Sequence, residues 1–131
     1  MNPFQTLGLP AACTAVAPDG SDVQVLLQLN GGGMARFELP PGATSHAVTH
    51  KTVEEIWLFL AGRGEFWRRH GPHEEIVPVE SGVCITIPLG THFQFRSFGP
   101  DALAAVGVTM PPWPGNDEAN RLPGPWQSTL P

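Results

Sequence analysis

The chain has 131 residues, 41% of them hydrophobic, and sets seven Lys and Arg against twelve Asp and Glu for a net charge of −5 with histidine neutral. That length suits one domain able to bury its own core. The scattered positive charges form neither the basic stripe that neutralises nucleic-acid phosphates nor a patch for an anionic membrane, so a small-molecule ligand or a protein partner is expected instead.

Fifteen Gly and fifteen Pro punctuate strands and spoil helix interiors, which points to an all-β chain with no substantial helix. The N-terminal MNPFQTLGLPAACTA has no basic segment and Pro10 breaks its short apolar run, so it reads as the arm of a cytoplasmic protein. No apolar run reaches the length of a bilayer span. Cys13 and Cys84 are expected to stay reduced, with Cys84 a buried thiol between Val83 and Ile85.

After the Pro18-Asp19-Gly20 turn, Val23, Val25, Leu27 and Leu29 form the apolar alternation of a strand over Asp22 to Leu29. A loop at Asn30 to Gly33 joins it to a strand over Met34 to Leu39. The glycine triplet is not followed by Lys-Ser or Lys-Thr and reads as a hairpin loop. Pro40-Pro41-Gly42 turns the next corner. Val53 to Leu60 is apolar on both parities apart from Glu54 and Glu55, as expected of a strand covered on both faces.

Glu65 to Arg69 leads into a charged tip, Arg68 to Glu75, centred on Gly71-Pro72, where His70 and His73 read as solvated. Ile76 to Val79, Val83 to Ile87, His92 to Phe98 and Leu103 to Thr109 are four further strands. Nine or ten short strands with regular turn signals make a sandwich or barrel. The chain therefore divides into residues 1–110, the barrel with its N-terminal arm, and residues 111–131, a Pro-rich tail. Trp113 and Trp126 are the tail's large apolar anchors, for docking on the barrel or on a neighbouring subunit.

Two segments carry histidines that need a reason: Pro41 to Gly64 and Gly82 to Ser97. In the first, Gly42, His50, Glu55 and Gly62 follow the spacing of the first motif of the cupin superfamily, with Val48 where its first histidine belongs. In the second, Gly82, Pro88, Gly90 and His92 follow the second cupin motif with one residue missing before the histidine, and Arg96 stands where asparagine is usual. The chain thus resembles a small single-domain cupin with an incomplete first motif. The resemblance implies a double-stranded β-helix, or jelly-roll barrel.

What the resemblance implies for chemistry is a site for one divalent transition metal, Fe, Mn, Zn or Ni, held by His50, Glu55 and His92. Val48 cannot donate, and on a strand His46 lies roughly 13 Å from His50, too far to replace the missing ligand. Periodicity leaves open whether Glu54 or Glu55 enters the barrel; the family spacing favours Glu55. Trp57 and Phe59, with Gln94 and Arg96, would line the substrate pocket, and Arg96 could grip a substrate carboxylate.

For this, His92 must face inward, whereas simple alternation would bury Phe93 and Phe95 and leave His92 in water. With His92 inward, Phe93, Phe95 and the tryptophans form an apolar patch, from which a homodimer is expected. Three functions fit: a metal-dependent oxygenase, isomerase or lyase on a small organic substrate, a non-catalytic small-molecule binder, or an interaction module. No nucleophile turn or Ser-His-Asp arrangement is legible.

Overall fold

The structure, a computed structural model, describes residues 2–13 and 15–131. Met1 and Thr14 of the expected N-terminal arm lie outside the described residues. The described strands are β1 (Ala15–Val16), β2 (Asp22–Leu29), β3 (Gly32–Leu39), β4 (Val48–His50), β5 (Glu54–Ala61), β6 (Arg63–His70), β7 (His73–Glu80), β8 (Cys84–Ile87), β9 (His92–Ser97), β10 (Leu103–Met110) and β11 (Ala119–Arg121), with a 3-10 turn at Asn116–Glu118. They form two antiparallel sheets, β1-β2-β3-β10-β5-β8 and β11-β4-β9-β6-β7, the all-β jelly roll that the turn signals imply. Among the described residues no helix is long and apolar enough to cross a membrane.

Glycine and proline set the corners. Leu29 pairs with Gly32 across a two-residue turn. His70 pairs with His73 across Gly71-Pro72, where Gly71 takes a φ of 59° that a side chain would resist. Both histidines there are exposed. Pro78 can sit in a strand because β7 is the edge of its sheet and leaves a donor position unpaired.

The two sheets meet through aromatic rings. Within one sheet, Phe66 on β6 stacks on Phe93 and Phe95 of the neighbouring β9 at centroid distances of 5.6 and 5.5 Å. Trp57 on β5 packs edge-on against Phe66 and Phe95 and face to face with Phe37 of β3 at 4.6 Å. The Trp57 ring lies close over Gly107 of β10, where an added Cβ would come within 2.7 Å of it. Burying each such ring stabilises the fold by about 1.5–3 kcal/mol.

Four expectations give way to this packing. Phe93 and Phe95 are each 1% exposed: simple alternation holds in β9, and they cannot form a surface patch. The strand Val53 to Leu60 is covered on one face only, with Ile56, Leu58 and Leu60 at 45, 40 and 44% exposure, because only one face of its sheet meets the other sheet. On β8, Ile85 and Ile87 take the inward parity, so Cys84 is exposed rather than buried. A register shift between Val25 and Gln28 breaks the alternation of β2, so Val23 is buried while Leu29 is 84% exposed.

The last ten residues run along the chain's own barrel, over the outer side of β9. Gln94 Nε2 donates to the carbonyls of Ser45 and Trp126, both at 2.8 Å, and its Oε1 accepts from the Trp126 amide at 3.2 Å. The Arg96 guanidinium lies 4.2 Å from the centre of the Trp126 ring. Thr129 donates its backbone N–H to Thr44 O, and Leu130 packs against the core. Gly124 passes too close to Gln94 and Ala47 for any side chain to fit.

Candidate functional site

His50 ends β4 and Glu55 is the second residue of β5, and the short loop between them is held from outside. Glu118, in the tail's 3-10 turn, accepts hydrogen bonds from Thr52 N–H, Thr52 Oγ and Val53 N–H. Burial works against the Glu118 charge, but the Thr52 and Val53 donors outweigh it and hold this carboxyl below its ordinary range. β11 continues from that turn and pairs with β4, placing Ala119 opposite His50. The His50 ring is clamped edge-to-face between Phe93 at 5.3 Å and Trp113 at 5.1 Å.

On β5, Glu55 shares the inward parity with Trp57 and Phe59, so the bulk of those rings in the core also brings the carboxyl inside. It is 3% exposed. Trp57 Nε1–H donates to its Oε1 at 3.3 Å. The other oxygen, Oε2, lies 3.3 Å from His50 Nδ1. Both atoms are buried, and neither makes an aligned hydrogen bond. Burial pushes the Glu55 carboxyl up to about 8, against the opposing Trp57 hydrogen bond and with help from nearby Asp19. Burial likewise pulls the His50 imidazole down to about 4, with Glu118 opposing. Both directions follow from removing water around a charge.

The pair lies in the wall of a cavity of about 440 Å³, within the range of small-ligand pockets. Its walls are largely apolar and include Leu27, Met34, Phe37, Trp57, Phe93 and Trp113. Among the described residues that line it there is no Lys or Arg, and its acidic side chains are Asp19 and Glu55. Asp19 is 4% exposed and its Oδ1 accepts from Ser21 N–H and Oγ–H at 2.9 and 2.6 Å. Burial raises this carboxyl above its usual range despite those two bonds.

Of the residues singled out from the sequence, the structure brings His50, Glu55 and Trp57 together. Glu54 points outward. Phe59 is buried in the core and does not line the cavity. His92, Gln94 and Arg96 share the face of β9 opposite Phe93 and Phe95, so none of them reaches the cavity. Gln94 is engaged by the tail, and Arg96 pairs with Glu65 at 2.5 Å. The physical reason is parity: β9 can bury the Phe row or the His row, and the stack on Phe66 takes the Phe row. His46 is occupied elsewhere, with its Nε2 2.8 Å from Pro131 O.

This geometry does not fit the implied divalent cation. Two of the three expected donors converge and the third stands on the far side of a strand. Among the described residues no group of three or more His, Cys, Asp or Glu side chains could hold a metal ion. Sequence reasoning missed Asp19, Phe37 and Glu118 at the site. Of the rings that close around the pair, Trp57 and Phe93 lie in strands read from the sequence, and Trp113 had a signal as a large ring in a tail poor in other anchors.

No protein-family model matches the chain, and no curated protein matches its sequence. Solved structures do match. A variant of Streptomyces PAC13, solved with uridine, superimposes with a TM-score of 0.68 at 16% identity, over 91% of this chain and 92% of that one. An uncharacterized conserved Klebsiella pneumoniae protein with a double-stranded β-helix domain gives 0.65 at 18% identity, covering 79% of this chain and 85% of its own. The cupin domain of Schizosaccharomyces pombe Cnp3 gives 0.62 at 14% identity, covering 70% of this chain and 64% of that one. The chain thus has the cupin fold, a double-stranded β-helix closed around an aromatic core.

Proposed function

We propose that the chain is an acid–base catalyst that needs no metal ion, with Glu55 and His50 moving a proton on a small organic molecule held in the cavity. The observation that carries this reading is the pair itself. Two buried polar atoms, Glu55 Oε2 and His50 Nδ1, lie 3.3 Å apart in the wall of an apolar space without an aligned partner, where one offers a proton and the other a lone pair. Burial supports the division of labour at neutral pH: Glu55 is held in its acid form and His50 as neutral imidazole, the forms required of a general acid and a general base. Trp57 Nε1–H fixes the carboxyl, and Phe93 and Trp113 fix the imidazole plane. The reaction class is isomerisation or elimination next to a carbonyl.

The test is deuterium exchange at carbons next to the carbonyl of small ketones and aldehydes in D2O, followed by NMR. Glu55→Gln and His50→Ala should each slow exchange by about 100-fold or more, while His92→Ala and prior treatment with chelator leave it unchanged. Loss of exchange on chelation, or equal damage from His92→Ala, would overturn the assignment. Binding without exchange would leave the cavity as the site of a non-catalytic binder.

For a protein partner we propose a second copy of the chain, on a surface other than the one expected from the sequence. Ile56, Leu58 and Leu60 form an exposed apolar row on the outer face of β5, and a two-fold axis through such a row matches it to itself. Gel filtration is expected to give a dimer that Leu58→Arg converts to a monomer. A monomeric native chain would refute this.

A further inference from the structure

The charges around the cavity restrict what can enter it. An anion would give up its hydration on entering a largely apolar space, a cost of several kcal/mol unless a counter-charge replaces the water. The described lining residues offer none: among them there is no Lys or Arg, and Asp19 and Glu55 are acidic. Arg96, the one cation expected to grip a substrate carboxylate, lies on the other side of β9, between Glu65 and the Trp126 ring.

A cation fares little better, although four aromatic rings, those of Phe37, Trp57, Phe93 and Trp113, line the space. Asp19 Oδ1 already accepts two hydrogen bonds from Ser21, and Glu55 Oε1 accepts the Trp57 N–H. Glu55 Oε2 lies 3.3 Å from His50 Nδ1 with no aligned hydrogen bond between them, and an acid beside a neutral imidazole presents no full negative charge to a cation. What the pair offers a ligand is one donor and one acceptor side by side. A carbonyl or hydroxyl group matches that, and the apolar walls match a hydrocarbon or aromatic body.

We infer that the cavity selects uncharged molecules, largely apolar and carrying a carbonyl or hydroxyl group, and rejects carboxylates, phosphates and amines. The inference rests on the reading of this cavity as the functional pocket and adds the substrate class to it. It also orders the neighbouring chemistry: whatever reaction supplies this substrate must deliver it without an ionised group.

Three probes share one ring and differ only in charge: benzyl alcohol, benzoate and benzylamine. Their binding to the full chain at pH 7 is measured by ligand-observed NMR, with Trp113→Ala to place the signal in the cavity and Trp126→Ala as a control outside it. Benzyl alcohol is expected to bind at least about ten-fold more tightly than either charged probe, a difference of about 1.4 kcal/mol. Trp113→Ala should weaken that binding and Trp126→Ala should not. Benzoate or benzylamine binding as tightly as the alcohol, in a manner sensitive to Trp113→Ala, overturns the inference and leaves the pocket standing. If none of the probes binds at millimolar concentration, or binding ignores Trp113→Ala, the pocket reading falls and takes the inference with it.

Discussion

Truncating Trp57 to Ala is expected to lower the free energy of unfolding by about 3–5 kcal/mol, a large part of the roughly 5–15 kcal/mol that holds a domain of this kind together. The ring is 1% exposed, lies flat on Phe37 at 4.6 Å, meets Phe66 and Phe95 edge-on and donates to Glu55. Removing it opens a void between the sheets and leaves a buried carboxyl oxygen without its donor. Ile56→Ala, one residue away on the outer face, should cost about 1 kcal/mol or less when both variants are made in the Leu58→Arg background, where no second copy covers that row. Urea unfolding of the two variants compares them directly, and equal losses would mean that the assigned parity of β5 is wrong.

The second large effect is on the pH dependence of stability. Glu55 keeps its proton up to about pH 8 in the folded chain against an ordinary 4.5, so the native state holds a proton that the unfolded chain releases. Its contribution is full below pH 4.5 and is lost as pH rises to 8. His50 works the other way: held at about 4 against an ordinary 6.5, it refuses a proton that the unfolded chain takes up, and its contribution is full above pH 6.5 and lost as pH falls to 4. The two slopes cancel between pH 4.5 and 6.5, giving a plateau with a falling limb on each side.

Glu55→Gln should remove the alkaline limb. The stability of that variant relative to the native chain is expected to climb between pH 4.5 and 8 at a slope on the order of 1.4 kcal/mol per unit. Taking the difference between the two proteins cancels the contribution of Glu118 and the part of the Asp19 contribution that does not depend on Glu55. His50→Gln should flatten the acid limb in the same way. Urea midpoints across pH 4 to 9 measure both, and a Glu55→Gln difference that does not change with pH would show that the carboxyl is not held in its acid form.

How far the sequence could reach differs between the two motifs. In the first, the spacing from Gly42 through Glu55 to Gly62 located the β4 and β5 segments and two residues that the structure does bring together. Local periodicity could not choose between Glu54 and Glu55, because apolar residues lie on both faces of that strand. In the second motif, alternation alone pointed the right way: Phe93 and Phe95 inside, His92 outside. The family spacing pulled the other way, and the stack of Phe66 on both rings decided between them. Glu118 carried no local signal at all, since its task is to hold backbone donors 65 and 66 residues earlier in the chain.

By itself the sequence determined the features that local rules govern: an all-β chain, its corners at glycine and proline, and the His50 and Glu55 candidates. The tertiary structure alone decided which face of each strand became the interior, because that depends on which rings of two distant sheets can interlock. That choice placed His92 and Arg96 outside and closed the cavity with Trp113 from the tail. A sequence read along one strand at a time cannot weigh Phe66 against His92; two packed sheets can accommodate only one of the alternatives.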